Sequence, residues 1–250
     1  MADPQPTVNR SAGSTVPMVT GAAIFDFYGT LARAVTWGAP LGEVLAARGH
    51  RLEQAAYDAW QAEVYDGMDH VAHSASRDTY LAWERDRLRR LADASGVERD
   101  DVEELAADLH HAIRDFRLAT YDEVPGVLES LRARGVTVAV CSNWTWDLDR
   151  ALEQSGLGQA ADVVVTSAQV GVRKPHPRIF EVTVAECGVS PADALFVGDT
   201  WYPDVEGALA VGLRPVHVWR SDDAHVGGTP PPLPPGVARV RDLRGVLELV

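Results

Sequence analysis

Asp26, Ser142, Asn143, Lys174, Asp199 and Asp204 are the residues whose types and settings could carry chemistry together. The settings share a pattern, in which an apolar run ends in a polar group. Asp26 follows "AAIF", Ser142 and Asn143 follow "VTVAVC", and Asp199 follows "ALFVG". Asp204 comes within the next turn, and Lys174 stands in "VRKPHP", just before a helical stretch. Brought together, these residues would supply carboxylates, a hydroxyl, an amide and an ammonium. Carboxylates packed closely repel, and take up protons or a cation. Hard oxygen ligands with room for water suit magnesium, which usually keeps several waters and takes one or two carboxylates. A single strand-ending aspartate is often only a cap or a turn former. The ordered set is what points to a site.

The elements that must position these groups follow from hydrophobic periodicity. Ala22–Phe27 reads as a short strand buried on both faces. From about Leu41 to Ala119 helical spacing dominates, in "LGEVLAARG", "LEQAAYDAWQAEVY", "RDTYLAWERDRLRRLADASG" and "DDVEELAADLHHAIRDF", with Gly49 and Gly96 as stops. The charged run "ERDRLRRLAD" reads as a solvated helix face with opposite charges at helical spacing. Beyond Pro125 the texture alternates: helix "VPGVLESLRARG", strand "VTVAVCSN", helix "WDLDRALEQSGL", strand "ADVVVTS", helix "HPRIFEVTVAECG", strand "ALFVGD", helix "DVEGALAVG", strand "RPVHVW". The proline-rich surface loop "TPPPLPPG", a last strand "ARV" and a closing helix "RDLRGVLELV" finish the chain.

This order predicts an α/β fold: a doubly wound, Rossmann-like parallel sheet with right-handed crossovers and helices on both faces. Ligands in such folds bind beyond the carboxyl ends of the strands. Residues 21–38 and 123–250 are expected to form the α/β core, residues 39–122 an inserted helical cap over those ends, and residues 1–20 a disordered leader. With 250 residues, 46% apolar and 24% charged, the chain has the balance of a soluble globular protein. A formal charge of −13 opposes a nucleic-acid partner. No apolar run is long enough to span a membrane. Two cysteines, Cys141 and Cys187, make neither a disulfide framework nor a metal pair, so a reduced, cytoplasmic protein is expected, with Cys141 a small core residue. A monomer or homodimer acting on a small molecule fits this profile.

The chain resembles the haloacid dehalogenase superfamily of hydrolases. "FDFYGTL" is similar to its first motif, "CSN" to its second, the lysine of "RKPHP" to its third and "GDTWYPD" to its fourth. The likeness runs from roughly Ala22 to Trp219, with the Leu41–Ala119 stretch matching the family's helical cap. The resemblance implies that Asp26 is a nucleophile forming a covalent aspartyl intermediate. It implies magnesium bound by Asp26, Asp199 and the backbone carbonyl of Tyr28. Ser142, beside Asn143 in the second motif, would hydrogen-bond the transferring group, and Lys174 would neutralise developing charge. Asp204 would orient Lys174 or complete the surroundings of the metal.

Tyr28 departs from the phosphatases of the family, which carry a second aspartate there to protonate the leaving alkoxide and later activate water. A phenol with a pKa of about 10 is a poor base near neutral pH, and losing such a group typically forfeits about 10²–10⁴-fold. A tyrosine at this position is a hallmark of the 2-haloacid dehalogenases, whose halide leaves without a proton; Asp204 would then activate water. Those dehalogenases have Ser-Asn where this chain has Gly198-Asp199, work without metal, and use an arginine early in the cap. "EQAAYDAWQAEVYDG" contains no arginine, leaving Arg33 and Arg77 as substitutes. Magnesium-dependent members lacking the second aspartate exist among carbon–phosphorus hydrolases. The reading taken is therefore magnesium-dependent hydrolysis of a phosphorylated small molecule. The alternatives are (S)-2-haloacid dehalogenation and a catalytically impaired binding protein.

Among the aromatic residues, Trp144, Trp146, Trp201 and Tyr202 flank the second and fourth motifs and either wall a pocket or pack cap against core. Trp60 and Trp83 are expected in the core of the helical stretch. His110, His111 and His176 show no metal-ligand spacing with the acidic cluster, and His176 is expected to begin a helix.

Overall fold

The computed structural model describes residues 20–65, 71–220 and 229–250. The expected leader lies outside them, apart from Thr20. The chain opens with β1 (Ala22–Phe25) and β2 (Ala32–Thr36), then enters a helical block of α1 (Leu41–Ala47), α2 (Gln54–Tyr65), α3 (Arg77–Ala94) and α4 (Val102–Ala112). It returns through β3 (Arg117–Thr120) and α5 (Val124–Ala133) to β4 (Thr137–Ser142), α6 (Leu148–Gln154), β5 (Val163–Thr166) and α7 (Ser167–Val170). The last third holds α8 (Pro177–Cys187), β6 (Ala194–Gly198), α9 (Gly207–Ala210), β7 (Arg214–Val218) and β8 (Ala238–Val240).

Six strands form one parallel sheet in the order β5-β4-β1-β6-β7-β8. The continuous apolar runs are explained by burial on both faces. In β1, Ala23 and Phe25 belong to the core on one side of the sheet, and Ala22 and Ile24 to the core on the other. The helices α5 and α6 cover the first face, through residues such as Leu128, Leu131 and Leu152. The second face is covered by α8, through Ile179 and Phe180. Cys141 is fully buried there, as a core residue, and burial pushes its thiol up to about 11.

Phe25 pairs with Val140 of β4 and with Val197 of β6. The strand order reverses direction at β1, so the ends of β1, β4 and β6 open into one crevice, where such folds bind ligands. Asp26, Ser142 and Asp199 therefore finish within one residue of the same level.

The helical block has a hydrophobic cluster of its own, built on Leu45, Leu88, Leu91, Leu105 and Leu109. Its helices α1 and α3 stop just before Gly49 and Gly96. A two-stranded antiparallel ribbon of β2 and β3 joins the block to the sheet, a pairing that sequence periodicity did not reveal. Two terminal expectations are corrected. The stretch expected as a helix from Asp204 begins instead as a π-helical turn, Trp201–Glu206, leading into the short α9. In that turn Asp204 spends a carboxylate oxygen on the Thr200 amide, and Pro203 supplies no backbone donor. The closing segment Leu243–Glu248 is 3-10 rather than α-helical. Among the described residues, no helix is long and apolar enough to cross a membrane.

Candidate active site

Asp26 sits one residue past β1 and is 7% exposed. Its Oδ1 accepts from Ser142 Oγ at 3.0 Å and from Lys174 Nζ at 2.6 Å. Lys174 Nζ also donates to Asp204 Oδ1 at 2.7 Å. Burial alone would strip the lysine of its proton, but Asp204 and Asp26 outweigh it and hold the ammonium charged. The second oxygen of Asp204 accepts from the Thr200 amide at 3.0 Å. With both oxygens engaged, Asp204 is placed to fix Lys174 and poorly placed to activate water.

Asn143 serves the same lysine through the backbone. Its Oδ1 accepts from Lys174 N at 2.7 Å and its Nδ2 donates to Lys174 O at 3.0 Å. The amide is thus spent on locking the loop that carries the ammonium. His176 caps α8 by accepting from the Arg178 amide, as expected of a helix-starting residue.

Asp199 completes the cluster: one oxygen from each of Asp26, Asp199 and Asp204 lies within 4.8 Å of the others. Only Lys174 contacts this trio as a cation among the described side chains. Burial, then repulsion from Asp26 and Asp204, pushes the Asp199 carboxyl up to about 7. Asp204 is pushed up to about 6 by burial, against the pull of Lys174. Two glycines permit this crowding. A Cβ on Gly29, whose φ is +88°, would collide with the Asp199 carboxylate, so the Tyr28–Gly29 peptide runs alongside that group. A Cβ on Gly198 would meet the Asp204 carboxylate at 2.5 Å.

Two supporting residues escaped sequence reasoning. Thr30 Oγ1 donates to Asp199 Oδ1 at 3.1 Å. His217, on β7, lies with Nε2 3.1 Å from the Asp199 carbonyl. Arg239 Nε donates to His217 Nδ1 at 3.0 Å, which assigns the ring proton to Nε2 and makes it the donor. Thr30 had a signal in the "GTL" of the first motif; His217 had none beyond lying on a strand.

Above the cluster lies a cavity of about 650 Å³, lined by Asp26, Tyr28, Ser142, Asn143, Lys174 and Asp204 on the sheet side. Its other walls come from the ribbon and the helical block, among them Trp37, Trp60, Tyr80, Glu84, Arg87, Arg114 and Phe116. The charged run of α3 is thus not wholly a solvated face. Glu84 is 4% and Arg87 is 5% exposed. Both are turned inward because they share a helix face with Tyr80, Leu88 and Leu91. Glu84 pairs with Arg114 and His110, which together outweigh burial and hold its carboxyl below the ordinary range. Arg87 packs over the rings of Trp60 and Trp83, at 4.8 and 4.9 Å. The expected substitutes for a cap arginine do not reach the cavity: Arg33 packs over Tyr121 and Arg77 pairs with Asp147.

The aromatic residues divide. Trp144 lines the cavity and meets Phe27 and Phe116 edge-on, at 5.3 and 5.6 Å. Trp146 instead approaches Tyr80 of α3, Trp201 packs on His217, and Tyr202 is exposed. Trp60 packs against the core of the helical block, as expected, and faces the cavity as well.

Comparison with known proteins agrees with this architecture. Residues 20–212 match the family model described as haloacid dehalogenase-like hydrolase. The chain is 32% identical over 174 residues to a phosphoserine phosphatase of Thermus thermophilus, covering 64% of this chain and 70% of that one. It is 30% identical over 125 residues to (S)-2-haloacid dehalogenase 1 of a Pseudomonas species, covering 50% and 52%. The crystal structure of a 2-haloacid dehalogenase from Pseudomonas syringae shares the fold, with a TM-score of 0.57 at 23% identity over 93% of this chain and 98% of that one. A buried aspartate-lysine-serine cluster at the ends of a parallel sheet, and a family match over most of the chain, give one conclusion: this protein belongs to the haloacid dehalogenase-like hydrolases.

Proposed function

We propose that the enzyme is a magnesium-dependent hydrolase of a phosphorylated small molecule, with Asp26 as the nucleophile. One observation carries the preference: three carboxylates converge within 4.8 Å, and among the described residues a single ammonium faces them. Such a set, at net charge −2 when ionised, calls for a divalent cation. A metal-free dehalogenase would have no use for the charge on Asp199. The hard oxygens of Asp26, Asp199 and the Tyr28 carbonyl fit magnesium; Asp204 is already committed to Lys174 and Thr200. Bound there, magnesium would neutralise a phosphoryl group and screen it from the nucleophile's charge.

The chain's own residues then divide the work. Ser142 and Lys174 hold the attacking oxygen's carboxylate in one orientation, and Lys174 is ready to meet charge developing on the transferring group. Asp204 and Asn143 fix Lys174 from its two ends. Residues 39–122 act as a cap, with 21–38 and 123–250 as the catalytic core; the separate hydrophobic cluster of the helical block supports that division. Free Cys141 and Cys187 fit a reducing, cytoplasmic setting.

The test is phosphate release from a panel of small phosphate esters and acyl phosphates with magnesium and with chelator. Release that survives chelation refutes the metal-dependent reading. A second reading, (S)-2-haloacid dehalogenation, is favoured by Tyr28 at the cavity wall where phosphatases of the family keep an acid. It requires chloride release from L-2-chloropropionate without added metal.

A further inference from the structure

Tyr28 and the cavity wall each constrain the leaving group, and they do so independently. Tyr28 occupies the place of the family's general acid and packs against Trp37, with ring centroids 5.5 Å apart. A leaving alkoxide, a far stronger base than a phenoxide, would depart unprotonated and slowly. A phenol's pKa of about 10 lets its oxide leave unaided.

The wall adds a shape. Trp37 continues to Phe116 at 6.2 Å, and Phe116 to Trp144 at 5.6 Å, so a run of rings leads from Tyr28 along the side of the cavity. Tyr80 and Trp60 line it from the helical block. Aromatic walls favour offset or edge-on contact with another ring. The cavity's volume of about 650 Å³ is that of a site for a drug-sized ligand, far more than a phosphoryl group and a short alkyl chain need. Trp37 is 59% exposed although it lines the cavity, a cost in apolar surface that a flat ligand would recover.

Building on the phosphohydrolase reading above, we infer that the substrate is an aryl phosphate, the phosphate monoester of a flat phenolic alcohol seated against Trp37, Phe116 and Trp144. In the first step an Asp26 oxygen bonds to phosphorus and the phosphorus–aryl oxygen bond breaks. The electron pair leaves on the aryl oxide, which takes a proton from solvent. Water then bonds to phosphorus, the phosphorus–Asp26 bond breaks, the carboxylate is restored, and the proton lost by water passes to solvent.

The experiment measures magnesium-supported kcat/KM for 2-naphthyl phosphate, phenyl phosphate, acetyl phosphate and glycerol 2-phosphate. The same values are then taken for Trp37→Ala and Phe116→Ala. The aryl esters should exceed glycerol 2-phosphate by about 10²–10⁴-fold, the range a missing general acid leaves open. Each variant should lower the 2-naphthyl value about tenfold more than the acetyl value, the scale of one lost aromatic contact. Trp37 is largely exposed, so its truncation leaves the core intact and keeps the test readable if Phe116→Ala fails to fold. Equal rates on aryl and alkyl esters, or equal losses on naphthyl and acetyl phosphate in Trp37→Ala, overturn the aryl assignment while the phosphohydrolase reading stands. No phosphate from any of the four, acetyl phosphate included, overturns both.

Discussion

Asp199→Asn isolates the electrostatics of the acidic cluster. In the wild-type enzyme without metal, burial and the neighbouring Asp26 and Asp204 push the Asp199 carboxyl up to about 7. Unfolded, it titrates at 3.8. The folded state therefore binds this proton more tightly than the unfolded chain does. The stability this lends is complete below about pH 4 and is lost as pH rises through about 7. Moving a carboxyl between those values corresponds to about 4 kcal/mol. The geometry agrees: at the 4.8 Å limit of the cluster, two unit charges repel by about 3–4 kcal/mol at an effective dielectric constant near 20. About 2.7 kcal/mol of that falls between pH 5 and pH 8.5, because at pH 5 part of it is already lost. For a chain of this length each kcal/mol moves Tm by about 2–4 °C, so the wild type should lose about 5–11 °C over that range from this group. Asp199→Asn, with no charge to suppress, should lose none of it. Magnesium at one hundred times its Kd should return about 2.7 kcal/mol to the wild type at pH 8.5, less at pH 5 where protons compete, and nothing to the variant. The assay is thermal unfolding by circular dichroism for both proteins at the two pH values, with magnesium and with chelator. Equal pH slopes and equal magnesium responses in the two proteins would refute the reasoning, since Asp199 would then be neither charge-crowded nor part of a cation site.

Four further outcomes are expected. Asp26→Asn should abolish turnover while circular dichroism shows a retained fold; residual activity above background would remove Asp26 as nucleophile. Lys174→Met strands the buried Asp26 and Asp204 carboxylates, each now contacted by its ammonium, and should cost about 3–5 kcal/mol in urea unfolding at pH 8. Tyr28→Asp should raise steady-state phosphatase turnover, by up to about 10²–10⁴-fold; an unchanged rate would assign the tyrosine to pocket shape instead. Gly29→Ala, with its positive φ and a Cβ thrust at Asp199, should weaken magnesium binding in calorimetry, and unchanged affinity would separate that glycine from the site.

The parts legible from sequence were those whose cause is local or topological. Short runs such as Ala22–Phe25 and Ala194–Gly198 are apolar throughout because parallel strands bury both faces. Alternation of such runs with helices dictates a parallel sheet, whose carboxyl ends converge by construction. Asp26, Ser142, Lys174, Asp199 and Asp204 could therefore be named as neighbours from their places at or after strand ends, and the geometry brings them together. The walls of the cavity had no such local cause. Ala32–Thr36 pairs with Arg117–Thr120 across the whole helical block, and neither short strand carries an apolar pattern strong enough to announce it. Glu84, Arg87 and Arg114 look like solvated charges along the chain. They become cavity residues only because α3 and the end of α4 turn one face toward the sheet and supply each other's counter-charges. Sequence determined the strand ends and hence which polar groups meet there, because both follow from period and order. Tertiary packing alone decided the shape and lining of the space above them, because contacts between distant segments depend on which helix face meets which.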